Sequence, residues 1–123
     1  MKKTPVSFSS QTENPNMPGV LDISPEELAQ KLDSVHIIDV RRPEEYTGEL
    51  GHIKGSTLIV LDTIPMNIDS IPKDEPVVFI CKGGGRSAQA TAFAKQSGCQ
   101  HVFNMTGGML LWNKLALPVN KST

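Results

Sequence analysis

The sequence predicts an α/β domain built on a parallel sheet. Short β-branched runs of strand length alternate with helix-favouring segments, the order that winds strands in parallel with helices packed across them. The chain has 123 residues, enough for one hydrophobic core and too few for two. Two of the predicted strands stop at residues that carry chemistry, Asp39 and Cys81, and ligand sites of parallel sheets lie beyond the carboxyl ends of the strands.

Each element has its own signal. Residues 1–18 are rich in Ser, Thr, Asn and Pro and offer little to bury, which predicts a flexible tail or an extended arm. Ser24-Pro25-Glu26-Glu27 predicts a helix start, with Ser24 as N-cap, Pro25 first in the helix and Glu27 closing a capping box; the helix runs to about Leu32. Val35–Val40 is a β-branched strand, and Arg42–Tyr46 a short helix with proline in its first turn. Ser56–Val60 and Pro76–Ile80 are the second and third strands, the latter ending at Cys81. The alanine-rich segment from Arg86 to about Gln96 predicts a helix with Gly98 as C-cap. Gln100–Asn104 is a further strand, and Gly107–Trp112 opens a last helix that ends before Pro118.

Composition narrows the function. The formal net charge is −1, with 38% apolar and 20% charged residues, and no concentrated basic surface points to nucleic acid or an anionic membrane. No stretch approaches the roughly 20 apolar residues that span a bilayer. Met1-Lys2-Lys3 is followed by a polar stretch rather than the apolar segment of a signal peptide, so the cytoplasm is the expected compartment. Two cysteines, Cys81 and Cys99, are fewer than a disulfide-stapled domain usually carries.

Chemistry concentrates in Cys81-Lys82-Gly83-Gly84-Gly85-Arg86-Ser87. A cysteine ends a buried strand, three glycines let the backbone curl, and an arginine opens a helix. Such a loop turns successive N–H groups into one concavity and adds the positive end of the helix, a cradle for an anion. A thiol there is easier to ionise. The helix end alone contributes about 0.3–1 kcal/mol. Inward N–H bonds, at about 1.5–3 kcal/mol each for a charged group, supply more. Cys81 is therefore expected at the loop mouth as a thiolate, with Lys82 and Arg86 attracting anions.

These residues resemble the rhodanese family. Ile37-Ile38-Asp39-Val40-Arg41 with Pro43-Glu44-Glu45-Tyr46 and Gly51-His52-Ile53-Lys54-Gly55-Ser56 is similar to its first signature. Gly107–Trp112 with Leu117-Pro118-Val119 is similar to its second. The resemblance implies a rhodanese-like domain over residues 19–120, a five-stranded parallel sheet flanked by helices on both faces, and a sulfurtransferase with Cys81 as nucleophile. Sulfur passes from thiosulfate, a persulfide or a polysulfide to Cys81 and on to a thiol or cyanide, with no metal or organic cofactor. The backbone of Lys82, Gly83, Gly84, Gly85, Arg86 and Ser87 binds the persulfide. A persulfide relay to an acceptor protein shares the same intermediate. The cysteine phosphatases and arsenate reductases are disfavoured, since phosphatases place five residues between Cys and Arg where this chain has four. Glu45 stands where two-domain thiosulfate enzymes of the family often carry arginine, which disfavours a dianionic donor.

Supporting residues are expected around the loop. Asp39 would orient Arg86 or a loop N–H, or else form a structural ion pair, and Arg41 would lie at the same rim in a surface ion pair. His52 is expected to be structural. Cys99, at the far end of the loop helix, is expected to be a structural thiol too distant to resolve a persulfide on Cys81.

Overall fold

A computed structural model of the chain describes residues 2–121. The strands are β1 (Thr12–Glu13), β2 (Leu21–Ile23), β3 (His36–Asp39), β4 (Thr57–Leu58), β5 (Val77–Ile80) and β6 (Val102–Met105). The helices are α1 (Pro25–Gln30), α2 (Pro43–Tyr46), α3 (Ile64–Asn67), α4 (Gly85–Gln96) and α5 (Gly108–Lys114). One sheet runs in the order β1-β2-β6-β5-β3-β4. Every neighbouring pair from β2 to β4 is parallel, and β1 is antiparallel to β2. The expected five parallel strands are present, and the N-terminal segment adds a sixth at the edge.

Strand periodicity divides the core into two layers. Val78 and Ile80 pack with Leu28 of α1 and with Met109 and Trp112 of α5. Val77, Phe79 and Cys81 pack on the other face with Ala90 and Ala94 of α4 and with Ile64 of α3. All four residues of β5 are buried, as a central parallel strand covered on both faces requires. Cys81 thus continues the α4 side of the sheet and emerges under the start of that helix.

Residues before Gly19 lie along the domain as an arm. Phe8 is buried, its ring edge-on to Phe103 with centroids 5.1 Å apart. Ser24 caps α1 as expected, its Oγ accepting from the Glu27 N–H at 3.2 Å. Glu27 does not complete the capping box. Its carboxylate instead accepts from the N–H groups of Ser9 and Ser10, each at 2.8 Å, while the Ser10 hydroxyl meets the Ser24 N–H at 3.0 Å. Hydrogen bonding by Ser10 holds the Glu27 carboxyl well below the usual range.

Candidate active site

The turn from β5 into α4 curls at one residue. Gly84 has φ 107° and is the N-cap of α4, whereas Gly83 and Gly85 keep ordinary φ values. A glycine N-cap brings no side chain to occupy the first free amides of the helix, so the N–H groups of Gly85 and Arg86 stay open to a ligand. The loop carbonyls are engaged from below. The N–H groups of Met109 and Leu110, opening α5, donate to the carbonyls of Cys81 (2.8 Å) and Lys82 (3.0 Å). Gly108, at φ 58°, permits this approach, because a Cβ there would fall on the backbone of both residues. Gly108 of the second signature therefore lets the Met109 and Leu110 amides pin those two carbonyls to α5.

Cys81 sits at the floor of the turn rather than at its mouth, with 1% of its surface exposed. The Gly84 N–H donates to its sulfur at 3.0 Å, and the Ser87 Oγ lies 3.2 Å away. Ser87 is fully buried. Its hydroxyl also lies 2.5 Å from Asn104 Oδ1, and Asn104 Nδ2 donates to Asp22 Oδ1 at 2.9 Å. Neither Asn104 nor Asp22 was expected at the site. The available signal was a single amide inside a buried β-branched and aromatic strand, two residues on from Val102 and so on its α4-facing side.

Asp39 and Cys81 share one edge of the sheet, as expected, since Asp39 is in register with Ile80. Their neighbours differ from expectation. Asp39 reaches neither Arg86 nor a loop amide. It forms a two-pronged pair with Arg41, Nε to Oδ1 at 2.9 Å and Nη2 to Oδ2 at 2.8 Å. Arg41 is not on the surface; both side chains are 1% exposed. Arg86 is not free to attract an anion. Its Nη1 and Nη2 meet Glu45 Oε1 and Oε2 at 2.8 and 2.9 Å. The Arg86 hydrogen bond, opposed by partial burial, takes the Glu45 carboxyl down to about 2, and the same contact raises Arg86.

Beside the loop opens a cleft of about 320 Å³, lined by Glu44, Glu45, Glu49, Lys82, Leu50 and Leu110 among others. Three glutamates line it together with the exposed Lys82 and the Asp39-paired Arg41, and the remaining lining is in part aliphatic. His52 has a structural place, its Nδ1 2.9 Å from the Tyr46 carbonyl and its ring stacked on that of Tyr46. Cys99 is a buried free thiol, pushed up by desolvation, and follows the C-terminal end of the twelve-residue α4, whose N-terminal end follows the Cys81 loop.

Comparison with known proteins places this arrangement. Residues 24–115 match the family model described as a rhodanese-like domain. The chain belongs to the rhodanese family. Among similar proteins, a sulfurtransferase of Allochromatium vinosum is 36% identical over 103 residues, which cover 81% of this chain and 94% of that protein. The thiosulfate sulfurtransferase GlpE of Pseudomonas paraeruginosa is 33% identical over 102 residues, 82% and 90% of the two chains. The solved human single-domain sulfurtransferase TSTD1 superposes with a TM-score of 0.67 at 28% identity, covering 76% of this chain and 95% of that one. No helix among the described residues is long and apolar enough to cross a membrane.

Proposed function

We propose that this rhodanese-family chain is a sulfurtransferase that moves sulfane sulfur from a donor to a thiophilic acceptor through a persulfide on Cys81. The observation that carries the reading is the Cys81 sulfur lying under the N-terminus of α4, with the Gly84 N–H already on it and the next amides unoccupied. The Cys81 thiolate attacks the outer sulfur of the donor. A new S–S bond forms, the old one breaks, and its electron pair leaves with sulfite or a thiolate. An acceptor thiol or cyanide then attacks the outer sulfur and expels the Cys81 thiolate, giving two-step kinetics of the ping-pong type. Amides aimed at the transferred sulfur stabilise its charge in both steps.

The cleft bears on the donor. Glu45 neutralises Arg86, Arg42 lies 3.4 Å from Glu44, and Glu49 offsets Lys82 at the rim, so a dianion such as thiosulfate meets little net attraction. Alkyl persulfides and organic polysulfides, which carry less charge and an apolar body, suit the Leu50 and Leu110 lining better. Both cysteines are unpaired, which fits a reducing compartment such as the cytoplasm. Incubation with thiosulfate or a glutathione persulfide, followed by mass spectrometry, tests the chemistry. The Cys81 peptide gains the mass of one sulfur, and Cys81→Ser loses both that adduct and turnover. An adduct on Cys99 alone, or turnover surviving in Cys81→Ser, overturns the proposal.

A further inference from the structure

We infer that Asp22 and Asn104 are positioning residues that withhold the single Ser87 hydroxyl hydrogen from the Cys81 sulfur. The inference rests on the proposed function only in taking Cys81 as the reacting sulfur.

The direction of each hydrogen bond follows from what each group can do. An ionised carboxylate has no hydrogen to give. Asp22 therefore accepts from Asn104 Nδ2 at 2.9 Å and from Asn14 Nδ2 at 3.0 Å. Asn14 is oriented separately, because its Oδ1 accepts from the N–H groups of Asn16 (2.8 Å) and Met17 (3.0 Å). With its NH2 turned to Asp22, Asn104 must turn its oxygen to Ser87. That oxygen can only accept, so at 2.5 Å the Ser87 hydroxyl is the donor. A hydroxyl has one hydrogen, and it is spent on Asn104. Towards the sulfur, 3.2 Å away, Ser87 then presents a lone pair. In this arrangement the Cys81 S–H donates to Ser87 Oγ.

Charge on the sulfur reverses the preference. A thiolate wants the Ser87 hydrogen, but Ser87 can supply it only by leaving the oxygen of Asn104, 2% exposed, without a partner. Asp22 and Asn104 thus bias the hydroxyl towards the state with the thiol protonated. The sulfur competes for that hydrogen when it leaves as a thiolate in the second step. Asn14 also ties the N-terminal arm to this chain of contacts, from outside the segment that matches the family.

The charged groups near the loop are Arg86 with Glu45, Asp39 with Arg41, Lys82 and Asp22; Asn104→Leu and Ser87→Ala change none of them, and Asp22→Ala changes only its own. The readout is the ultraviolet absorbance of the Cys81 thiolate at neutral pH, taken as the difference from the same variant carrying Cys81→Ser. Asn104→Leu removes the competing oxygen at similar volume. The only other acceptor for the hydroxyl among the described residues is Gly84 O at 3.3 Å. The ratio of thiolate to thiol is expected to rise about tenfold, the size of one charge-assisted hydrogen bond. In a Ser87→Ala background the same substitution is expected to change nothing, a dependence that a merely structural role would not produce. Asp22→Ala, nearer the surface, frees the Asn104 amide to turn its NH2 to Ser87, which raises the ratio in the same direction. Because it also removes a negative charge, only the part of its gain that disappears in a Ser87→Ala background counts, and that part decides the matter if circular dichroism shows Asn104→Leu unfolded. A ratio that falls or stays level in the folded single variants, or a gain that persists without the Ser87 hydroxyl, overturns the inference. Persulfide formation on wild-type Cys81 is read separately by mass, so the failure of one proposal is distinguishable from the failure of the other.

Discussion

Two arginine–carboxylate pairs flank the loop, and they differ in burial rather than in chemistry. Arg41–Asp39 and Arg86–Glu45 are both two-pronged with bonds of 2.8–2.9 Å. The first is closed off from water, 1% exposed on each side chain, while the second is 34% and 26% exposed. Burial of an ion pair is expensive unless the remaining donors and acceptors are also satisfied. Arg41 meets that condition by donating to the carbonyls of Gly51 (2.7 Å) and Glu45 (3.2 Å), while Asp39 also accepts from the Arg41 N–H. One guanidinium therefore clamps the end of β3, helix α2 and the turn before His52. The clamp holds the Glu45 backbone, and the Glu45 side chain then holds Arg86. The buried pair is scaffold, and under the proposed function the exposed pair sets the charge that a donor meets.

Removing one member of each pair sharpens the contrast. Arg41→Ala leaves the Asp39 carboxylate buried without its partner and the Gly51 carbonyl without a donor, while the Glu45 carbonyl keeps the Gly48 N–H. It is expected to lower stability by about 3–5 kcal/mol, read from the urea midpoint. A loss below about 1 kcal/mol, the range of exposed pairs, would remove the distinction between the two. Glu45→Gln should change stability by about 1 kcal/mol or less, yet it frees the Arg86 charge. Its kcat/KM for thiosulfate is expected to rise several-fold, most at low ionic strength, with a smaller change for a neutral polysulfide. Equal changes for the two donors would mean that the pair does not select by charge.

The same contrast explains what was legible in the sequence. Strand period, glycine spacing and the position of Cys81 after a buried run are local signals, and they fix the central strands, the start of α4 and the shared edge with Asp39. Asp39 and Arg41 are two residues apart, so their facing was also local. Their burial was not, because it depends on carbonyls of Glu45 and Gly51 brought in by tertiary folding. Glu45 and Arg86 are 41 positions apart, and no local pattern couples them. Asp22 and Asn104 meet only because β2 and β6 are parallel neighbours, and β2 is three residues long. β1 is shorter still, two exposed residues, and two apolar side chains, the buried Phe8 and the partly buried Val6, supply the anchor that composition obscured.

The smallest effect tests whether the exposed pair acts as a charge pair at all. The Glu45 carboxyl is lowered from 4.5 to about 2, chiefly by the Arg86 hydrogen bond. A carboxyl whose folded value lies below its unfolded value stabilises the fold above the unfolded value, and that contribution fades as pH falls through the folded one. The stability difference between wild type and Glu45→Gln should therefore be level above about pH 5 and shrink between about pH 4 and pH 2. Glu75, lowered by its hydrogen bond from His36, and Glu27 titrate in the same direction but are common to both proteins, so they cancel in the difference. Solvent screens this part-exposed pair, so the change stays within about 1 kcal/mol. Urea midpoints across the acid range measure it. A difference that stays level down to pH 2 would mean that Glu45 acts through shape and hydrogen bonding, which glutamine retains, and that Arg86 is not neutralised at the rim.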